Sequence, residues 1–230
     1  MTELKTFSVS YKETSITILS TKNLKNTVRK ELVTHYSLLE RYIQKNPLFY
    51  SSYEPISVEV DAPQIVKTMA DAAEKAGVGP MAAVAGAFSD LIGNLFLKRG
   101  AREVIVENGG DIFLKVAQAR KIGIYAGPSG FSGKIGFMVL PKETPLGICT
   151  SSDSVGHSIS LGKSDAVTAF AASSALADAA ATAIGNEVKE NGPVKKGITK
   201  AKKVEGLRGV LIIKGEELGA WGKIPQLIRT

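Results

Sequence analysis

Apolar positions recur along the chain in two rhythms, and the switches between them mark the elements. Near the N-terminus the period is two. Phe7–Ser10 and Ser15–Ser20 alternate β-branched and polar side chains on either side of Lys12–Glu13, which predicts a strand pair. The period then lengthens. Leu24, Val28, Leu32, Tyr36, Leu39 and Ile43 follow at intervals of 4, 4, 4, 3 and 4, an amphipathic stripe that Asn23 is placed to cap and Pro47 to end. Ser57–Val60 is expected as a short strand, Pro63 opens a second helix that stops at Gly77, and Met81–Gly100 reads as a third. Strand patterns return at Glu103–Val106, Ile112–Val116, Lys121–Tyr125, Lys134–Leu140, Leu146–Thr150, Ser158–Leu161 and Val167–Phe170. Within Ala166–Val188 a last helix is expected, with Ser173 and Ser174 as N-cap candidates and Gly185 and Asn186 as stop signals. The chain closes on a hairpin over Leu207–Ile224, turned at Gly215.

Strands therefore come in antiparallel groups with helices between the groups, which predicts an α+β fold rather than a doubly wound parallel sheet. One domain over residues 1–230 is expected, built from two intertwined halves. An old duplication would give this order of elements, although no strict sequence repeat is present.

Composition narrows the class. Hydrophobic residues make up 44% of the 230 and charged residues 22%, a globular balance. The single cysteine, Cys149, excludes an internal disulfide framework and a cysteine-based zinc site, and it fits a reducing compartment. The polar segment Met1–Lys30 has no apolar signal region, so a cytoplasmic protein is expected. The longest apolar run, Met81–Leu97, is broken by Ser89, Asp90 and Asn94 and reads as a buried core helix rather than a membrane span. Much of the net charge of +7 sits in Lys189–Lys203, which has no interleaved aromatics and reads as a solvated Gly/Lys loop. Nucleic acid is not expected as a partner; attraction to a small phosphorylated ligand fits better. Glycine- and alanine-rich faces suit close subunit packing, so a homo-oligomer is expected.

Three stretches set a charged or hydroxyl residue among small ones. Asn108-Gly109-Gly110-Asp111 is a hairpin-turn signal, but two glycines followed by a carboxylate also suit a loop that lets backbone approach a phosphate or a ring. Cys149-Thr150-Ser151-Ser152-Asp153, with Gly156 and His157 just after, is either a polar loop or a pocket rim. No nucleophile elbow accompanies it, which argues against a serine hydrolase. In the third, Asp178 stands alone in the apolar run Ala175–Ala183 apart from Thr182, which lies four residues on and so on the same helical face. A carboxylate on so apolar a face requires a partner: a cation, a Lys or Arg, or backbone N–H groups. The Asp178–Thr182 pair is either a hard-oxygen site for a cation such as Mg²⁺ or ordinary helix chemistry.

Taken in order, Glu107-Asn108-Gly109-Gly110-Asp111-Ile112, Lys121–Pro128, Ile148–Asp153 and Ala166–Ile184 resemble the motifs of ApbE-like proteins, the FAD:protein FMN transferases. Ala177–Ala183 resembles that family's ADALATA helix, and Gly79–Asp90 its AKGYAVD helix. Chain length and the Tyr11–Ile18 stretch resemble the short UPF0280 branch. The resemblance implies a T-fold-like α+β architecture with antiparallel sheets packed on helices, binding of FAD or FMN, and Mg²⁺-dependent cleavage of the FAD pyrophosphate with FMN transfer. It implies a metal held by Asp178, Thr182 and a backbone carbonyl at Val84. It also implies a flavin pocket lined by Asn108, Gly109, Gly110 and Asp111, with Thr150 and Ser151 nearby, and Asp178 and His157 as candidate catalytic residues. Two positions depart from the family. Ala85 stands where the family helix has lysine, and His157 is followed by Ser158-Ile159-Ser160 rather than by a DPxTG loop, which closes on flavin in the family. A non-catalytic ligand-binding or assembly protein is the alternative, and a polyanion binder using Lys195–Lys203 is a third.

Overall fold

The structure, a computed structural model, describes residues 4–127, 129–151, 164–188 and 193–230. Strands β1 (Lys5–Tyr11) and β2 (Thr14–Ser20) form the expected N-terminal hairpin. Helix α1 (Lys25–Lys45) follows, and it buries Val28, Leu32 and Leu39 of the stripe. Its N-cap is Leu24 rather than Asn23, whose Oδ1 accepts the Lys25 N–H at 3.1 Å from one position earlier. Pro47 ends α1 and begins a short helix, α2 (Pro47–Ser51). The segment 57–60 is not a strand: among the described residues it pairs with no neighbour, and Val60 is almost fully exposed. Next come α3 (Gln64–Ala76), closed by Gly77 at φ +71°, a 3-10 turn (Pro80–Ala83) and α4 (Val84–Lys98). The C-terminal half of the chain supplies β3 (Val104–Asn108), β4 (Asp111–Lys115), β5 (Arg120–Gly123), β6 (Ile135–Val139), β7 (Leu146–Ser151) and β8 (Ala166–Ala171). It ends with α5 (Ser174–Glu187), α6 (Val194–Ala201), β9 (Leu207–Lys214), β10 (Glu217–Gly222) and β11 (Gln226–Arg229). The expected strand Ser158–Leu161 lies outside the described residues.

Among the described residues all strand pairings are antiparallel. Eight strands form one sheet in the order β1-β2-β3-β4-β7-β8-β9-β10, and β11-β6-β5 form a second. The large sheet has two buried faces. One carries Ile16, Ile18, Val104, Val106, Phe113, Cys149, Val167, Ala169, Val210 and Ile212 and packs on the helices. The other carries Ile105, Leu114, Leu146, Ile148, Phe170, Leu211 and Ile213 and packs on residues of the small sheet such as Ile122, Phe137 and Val139. This is the expected α+β arrangement of antiparallel sheets on helices.

Two sequence expectations change here. Of the expected solvated loop Lys189–Lys203, residues 189–192 lie outside the described residues, and the rest is largely helix: α6 seats Val194, Gly197 and Ala201 on the fold and turns Lys195 and Lys196 outward. Gly197 allows this approach, since a Cβ there would stand 2.7 Å from Ile212 Cδ1. Strand β11 was not expected; it pairs Gln226–Arg229 with β6. Among the described residues, Pro80–Lys98 is the one stretch long and apolar enough to span a membrane, and more than half of it is buried in the fold.

Candidate functional site

The site is built on one row of the large sheet. Ile16, Asn108, Asp111, Cys149, Ala169 and Val210 are direct cross-strand partners, so their side chains share the helix-facing side. Apolar residues hold both ends of the row, and the polar ones lie in the middle. Asn108 and Asp111 close the β3–β4 hairpin, whose two loop residues, Gly109 and Gly110, have φ of +64° and +101°. A two-residue turn with both φ positive demands glycine-like residues, so the turn reading of this stretch holds. It does not exhaust the stretch. Nothing lies within 4 Å of where a Gly109 Cβ would be, so the turn borders open space.

Helices α4 and α5 cover this row and are fastened to it. Ser89 of α4 donates to the Asp111 carbonyl at 2.8 Å, and Asn108 Nδ2 donates to the Ala85 carbonyl at 3.1 Å. Ser174 of α5 donates to the Ile112 carbonyl at 3.1 Å, and the Cys149 thiol donates to the Ser174 carbonyl at 3.2 Å. Small residues permit this closeness. A Cβ on Gly147 would stand 2.6 Å from Ser174 Cα, and one on Gly86 would stand 2.3 Å from the Ser174 carbonyl oxygen and 2.8 Å from Asp178 Cβ.

Asp178 therefore faces α4 and the polar row. Its Oδ2 accepts the Gly86 N–H at 2.9 Å, at the N-terminal end of α4. Of the partners its apolar run requires, the structure supplies backbone N–H. Among the described residues neither Asp178 nor Asp111 has a Lys, Arg or His ion-pair partner. Burial pushes the Asp178 carboxyl well above the usual range, and the charge of Asp111 pushes the same way, against the pull of the Gly86 and Ala85 N–H groups. Burial raises Asp111 to about 7; the Cys149 thiol opposes this, and Glu107 adds to it. Cys149 is raised in turn by burial and by these two carboxylates, so it stays a thiol. Asp178 keeps part of its surface accessible, which leaves an approach to the pair. Thr182 lies one turn further along α5 and is buried, and Val84 begins α4 two residues before Gly86.

The structure thus brings Asn108, the Gly109–Gly110 turn, Asp111, Asp178, Thr182 and Val84 to the α4–α5 side of the sheet. Thr150 borders the turn through its backbone, its carbonyl oxygen 3.7 Å from where a Gly110 Cβ would stand, but its side chain points away. Its register neighbour is Thr168, with the hydroxyls 3.0 Å apart, and both point to the opposite face of the sheet. Ser151, one residue on, returns to the helix side. His157, Ser152 and Asp153 lie outside the described residues. Sequence reasoning did not assign roles to Gly86 or to the Cys149 thiol as parts of the site. The signal for Gly86 was its spacing of four from Asp90, which matches the spacing of Ser174 from Asp178.

No group of three His, Cys, Asp or Glu placed to hold a metal occurs among the described residues. Asp178, Thr182 and the Val84 carbonyl offer one carboxylate and two neutral oxygens. That donor set is too sparse for Ca²⁺ or a transition metal, but it fits Mg²⁺, which takes one or two carboxylates and fills its sphere with water and phosphate.

Comparison with known proteins places the chain in a family and matches its fold. A family model described as "AbpE bacteria" matches residues 1–205. A UPF0280 protein of Methanococcus maripaludis is 45% identical over 232 residues, covering 96% of this chain and 92% of its own length. One from Methanocaldococcus jannaschii is 48% identical over 198 residues, covering 84% and 80%. Among solved structures, the flavin transferase ApbE of Vibrio cholerae superposes with a TM-score of 0.61 over 95% of this chain and 96% of its own, at 15% identity, a likeness of fold. The chain belongs to the ApbE-like superfamily, in the group of UPF0280 proteins.

Proposed function

We propose that this protein binds a flavin nucleotide, FAD or FMN, beside the Gly109–Gly110 turn, with Mg²⁺ held by Asp178, Thr182 and the Val84 carbonyl. The observation that carries the reading is the meeting of Asp111 and Asp178: the Asp111 charge adds to burial in raising Asp178, and neither carboxylate has a side-chain cation among the described residues. Like charges in a place of low dielectric repel strongly, and a divalent cation is the complement they lack. The flavin is supported by the likeness of fold to an ApbE flavin transferase. When bound, Mg²⁺ would polarise the oxygens of the flavin pyrophosphate. The chain's own residues would do the rest. Gly86 N–H keeps the Asp178 carboxylate turned toward the row. Asp111, near 7, holds or releases a proton close to neutral pH. The Gly109 backbone borders open space for the ligand, while the Gly110 N–H is given to Glu107 Oε1 at 2.8 Å.

FAD pyrophosphate cleavage or FMN transfer is the enzymatic form of this reading, with Asp178 as the candidate catalytic residue on the described side. A cytoplasmic location fits it, because the Cys149 thiol stays reduced there. The test is to purify the protein, look for flavin absorbance, and titrate FAD with and without Mg²⁺. Saturable binding that requires Mg²⁺ is expected, and no binding of FAD or FMN under either condition sinks the flavin reading. Separating FMN and AMP from FAD by chromatography after incubation then distinguishes an enzyme from a binder.

A further inference from the structure

One more buried carboxylate borders the site without belonging to it. Asp90 lies in the second turn of α4, more than nine-tenths buried, with no ion-pair partner among the described residues. Both of its oxygens are aimed at the start of α5. Oδ1 accepts the Ser174 N–H at 2.8 Å; Oδ2 accepts the Ala175 N–H at 3.0 Å and the Ser173 hydroxyl at 2.7 Å. Ser173 Oγ in turn accepts the Leu176 N–H at 3.3 Å. The opening N–H groups of a helix have no intrahelical acceptor. Here those of Ser174, Ala175 and Leu176 are all satisfied, two of them by a residue of another helix.

The contact is returned. Gly86, four residues before Asp90, gives its N–H to Asp178, four residues after Ser174. Each helix lends a carboxylate to the other's opening turn, and the two pairs face each other because Gly86 has no Cβ to hold them apart. Ser174 is also the residue that Cys149 and the Ile112 carbonyl grip from the sheet. Any shift in the first turn of α5 therefore carries Asp178 away from Gly86 and from the Asp111–Cys149 pair.

We propose that Asp90 is a positioning residue: by holding the first turn of α5, it fixes the Asp178 carboxylate against Gly86 and above the Asp111–Cys149 pair. Its consequence for the ligand rests on the flavin and Mg²⁺ reading; its geometric part does not. Groups that orient a metal ligand from behind change affinity without touching the ion.

The experiment compares Asp90→Asn with Val28→Ala, a cavity in α1 remote from the α4–α5 contact, at a temperature where circular dichroism shows both folded. Cys149 is the chain's single cysteine, so its rate of reaction with a thiol reagent reports local opening at Ser174. Asp90→Asn is expected to raise that rate tenfold or more, and Val28→Ala to leave it within about twofold. Binding of Mn²⁺ in the presence of FAD, read from the resonance of the free ion, is expected to weaken at least tenfold in Asp90→Asn only. If Asp90→Asn does not fold, Ser173→Ala, which removes one donor to Asp90, takes its place with the same expected directions. Thiol rates within twofold of the wild type, or a Val28→Ala protein that matches Asp90→Asn, overturn the positioning role. A wild-type protein that binds no Mn²⁺ with FAD overturns the flavin and metal reading instead, and the thiol rates still decide the role of Asp90.

Discussion

Glu103 and Asp111 stand at opposite ends of the β3–β4 hairpin, and both have been taken out of water. At the open end, burial raises the Glu103 carboxyl, but its partners outweigh it. Arg120 Nη2 donates at 2.5 Å, and the N–H groups of Ala117 and Gln118 donate at 2.6 and 2.9 Å, so the group ends below its usual range. At the turn end, burial also raises Asp111, the nearby charge of Glu107 adds to it, and the group ends at about 7, while Asp111 in turn raises Asp178. The same desolvation gives opposite results because one carboxylate has a cation and the other has a rival. A carboxylate with its own partners ties loops to the sheet. A pair of carboxylates without a cation burdens the fold, and such a burden is concentrated where a ligand completes the set.

The largest effect should come from removing the satisfied member. Glu103→Ala removes the acceptor of the Ala117 and Gln118 N–H groups and the partner of Arg120. Breaking a buried pair typically costs ~3–5 kcal/mol, and the freed N–H groups of exposed Ala117 and Gln118 can turn to water. Arg120 keeps 31% of its side chain in water, which holds the loss to the low end, about 3 kcal/mol. Urea denaturation measures it, and a loss under about 1 kcal/mol would mean that the corner is not the anchor it appears from geometry.

Gly86→Ala comes next. Its methyl would meet the Ser174 carbonyl oxygen at 2.3 Å, so α4 and α5 must part. Overpacking of this kind costs about 1–3 kcal/mol. Asp178→Asn should show the reverse sign at the turn end. Removing a buried carboxyl whose ionisation the Asp111 charge opposes should raise stability at pH 8 by about 1 kcal/mol, the scale of a one-unit pKa change. The same variant should lose Mg²⁺-dependent FAD binding. A stability loss of ~1–3 kcal/mol with ligand binding unchanged would favour the assembly reading, in which Asp178 is satisfied internally.

How legible this contrast was in the sequence follows from the range of the interactions. Local patterns read well: the stripe Leu24–Ile43, the Ser173 cap and the Asn108–Asp111 turn depend on neighbours a few residues away. Asp178 was legible because a lone carboxylate in an alanine run violates its own surroundings. Glu103 was not, since its partners come from a loop more than ten residues on, and nothing in the Glu103–Val106 strand pattern marks it. For Thr150 the sequence leaves the direction of the side chain open, for a related reason. It is next to Ser151 in sequence, but a period of two puts neighbours on opposite faces, and only the register with Thr168 shows which face is which. The helix in Lys195–Lys203 was hidden because its buried side is made of Val194, Gly197 and Ala201, too small to stand out among lysines.

The finest test sets the two ends against each other by pH. Glu103, held below its unfolded pKa of about 4.3, contributes stability that is present above that pH and lost as pH falls through the folded value. Asp111, raised to about 7, does the opposite. Between its unfolded pKa of about 3.9 and the folded one, the unfolded chain gives up a proton that the native state keeps, so stability declines as pH rises across that window and levels off above it. Asp178 is shifted the same way, and the two titrate as a pair. Chemical denaturation from pH 3 to pH 9 should then show Glu103→Gln with a flattened acid limb and an unchanged decline toward neutrality. Asp111→Asn should keep the acid limb and lose much of the decline, because it removes one titrating group and the charge that raises the other. Adding Mg²⁺ and FAD to the wild type should mimic Asp111→Asn above pH 6, since a cation at the turn end supplies the partner that Arg120 supplies to Glu103. If the wild-type decline between pH 4 and pH 7 survives Asp111→Asn intact, the two ends do not differ as their partners say they should.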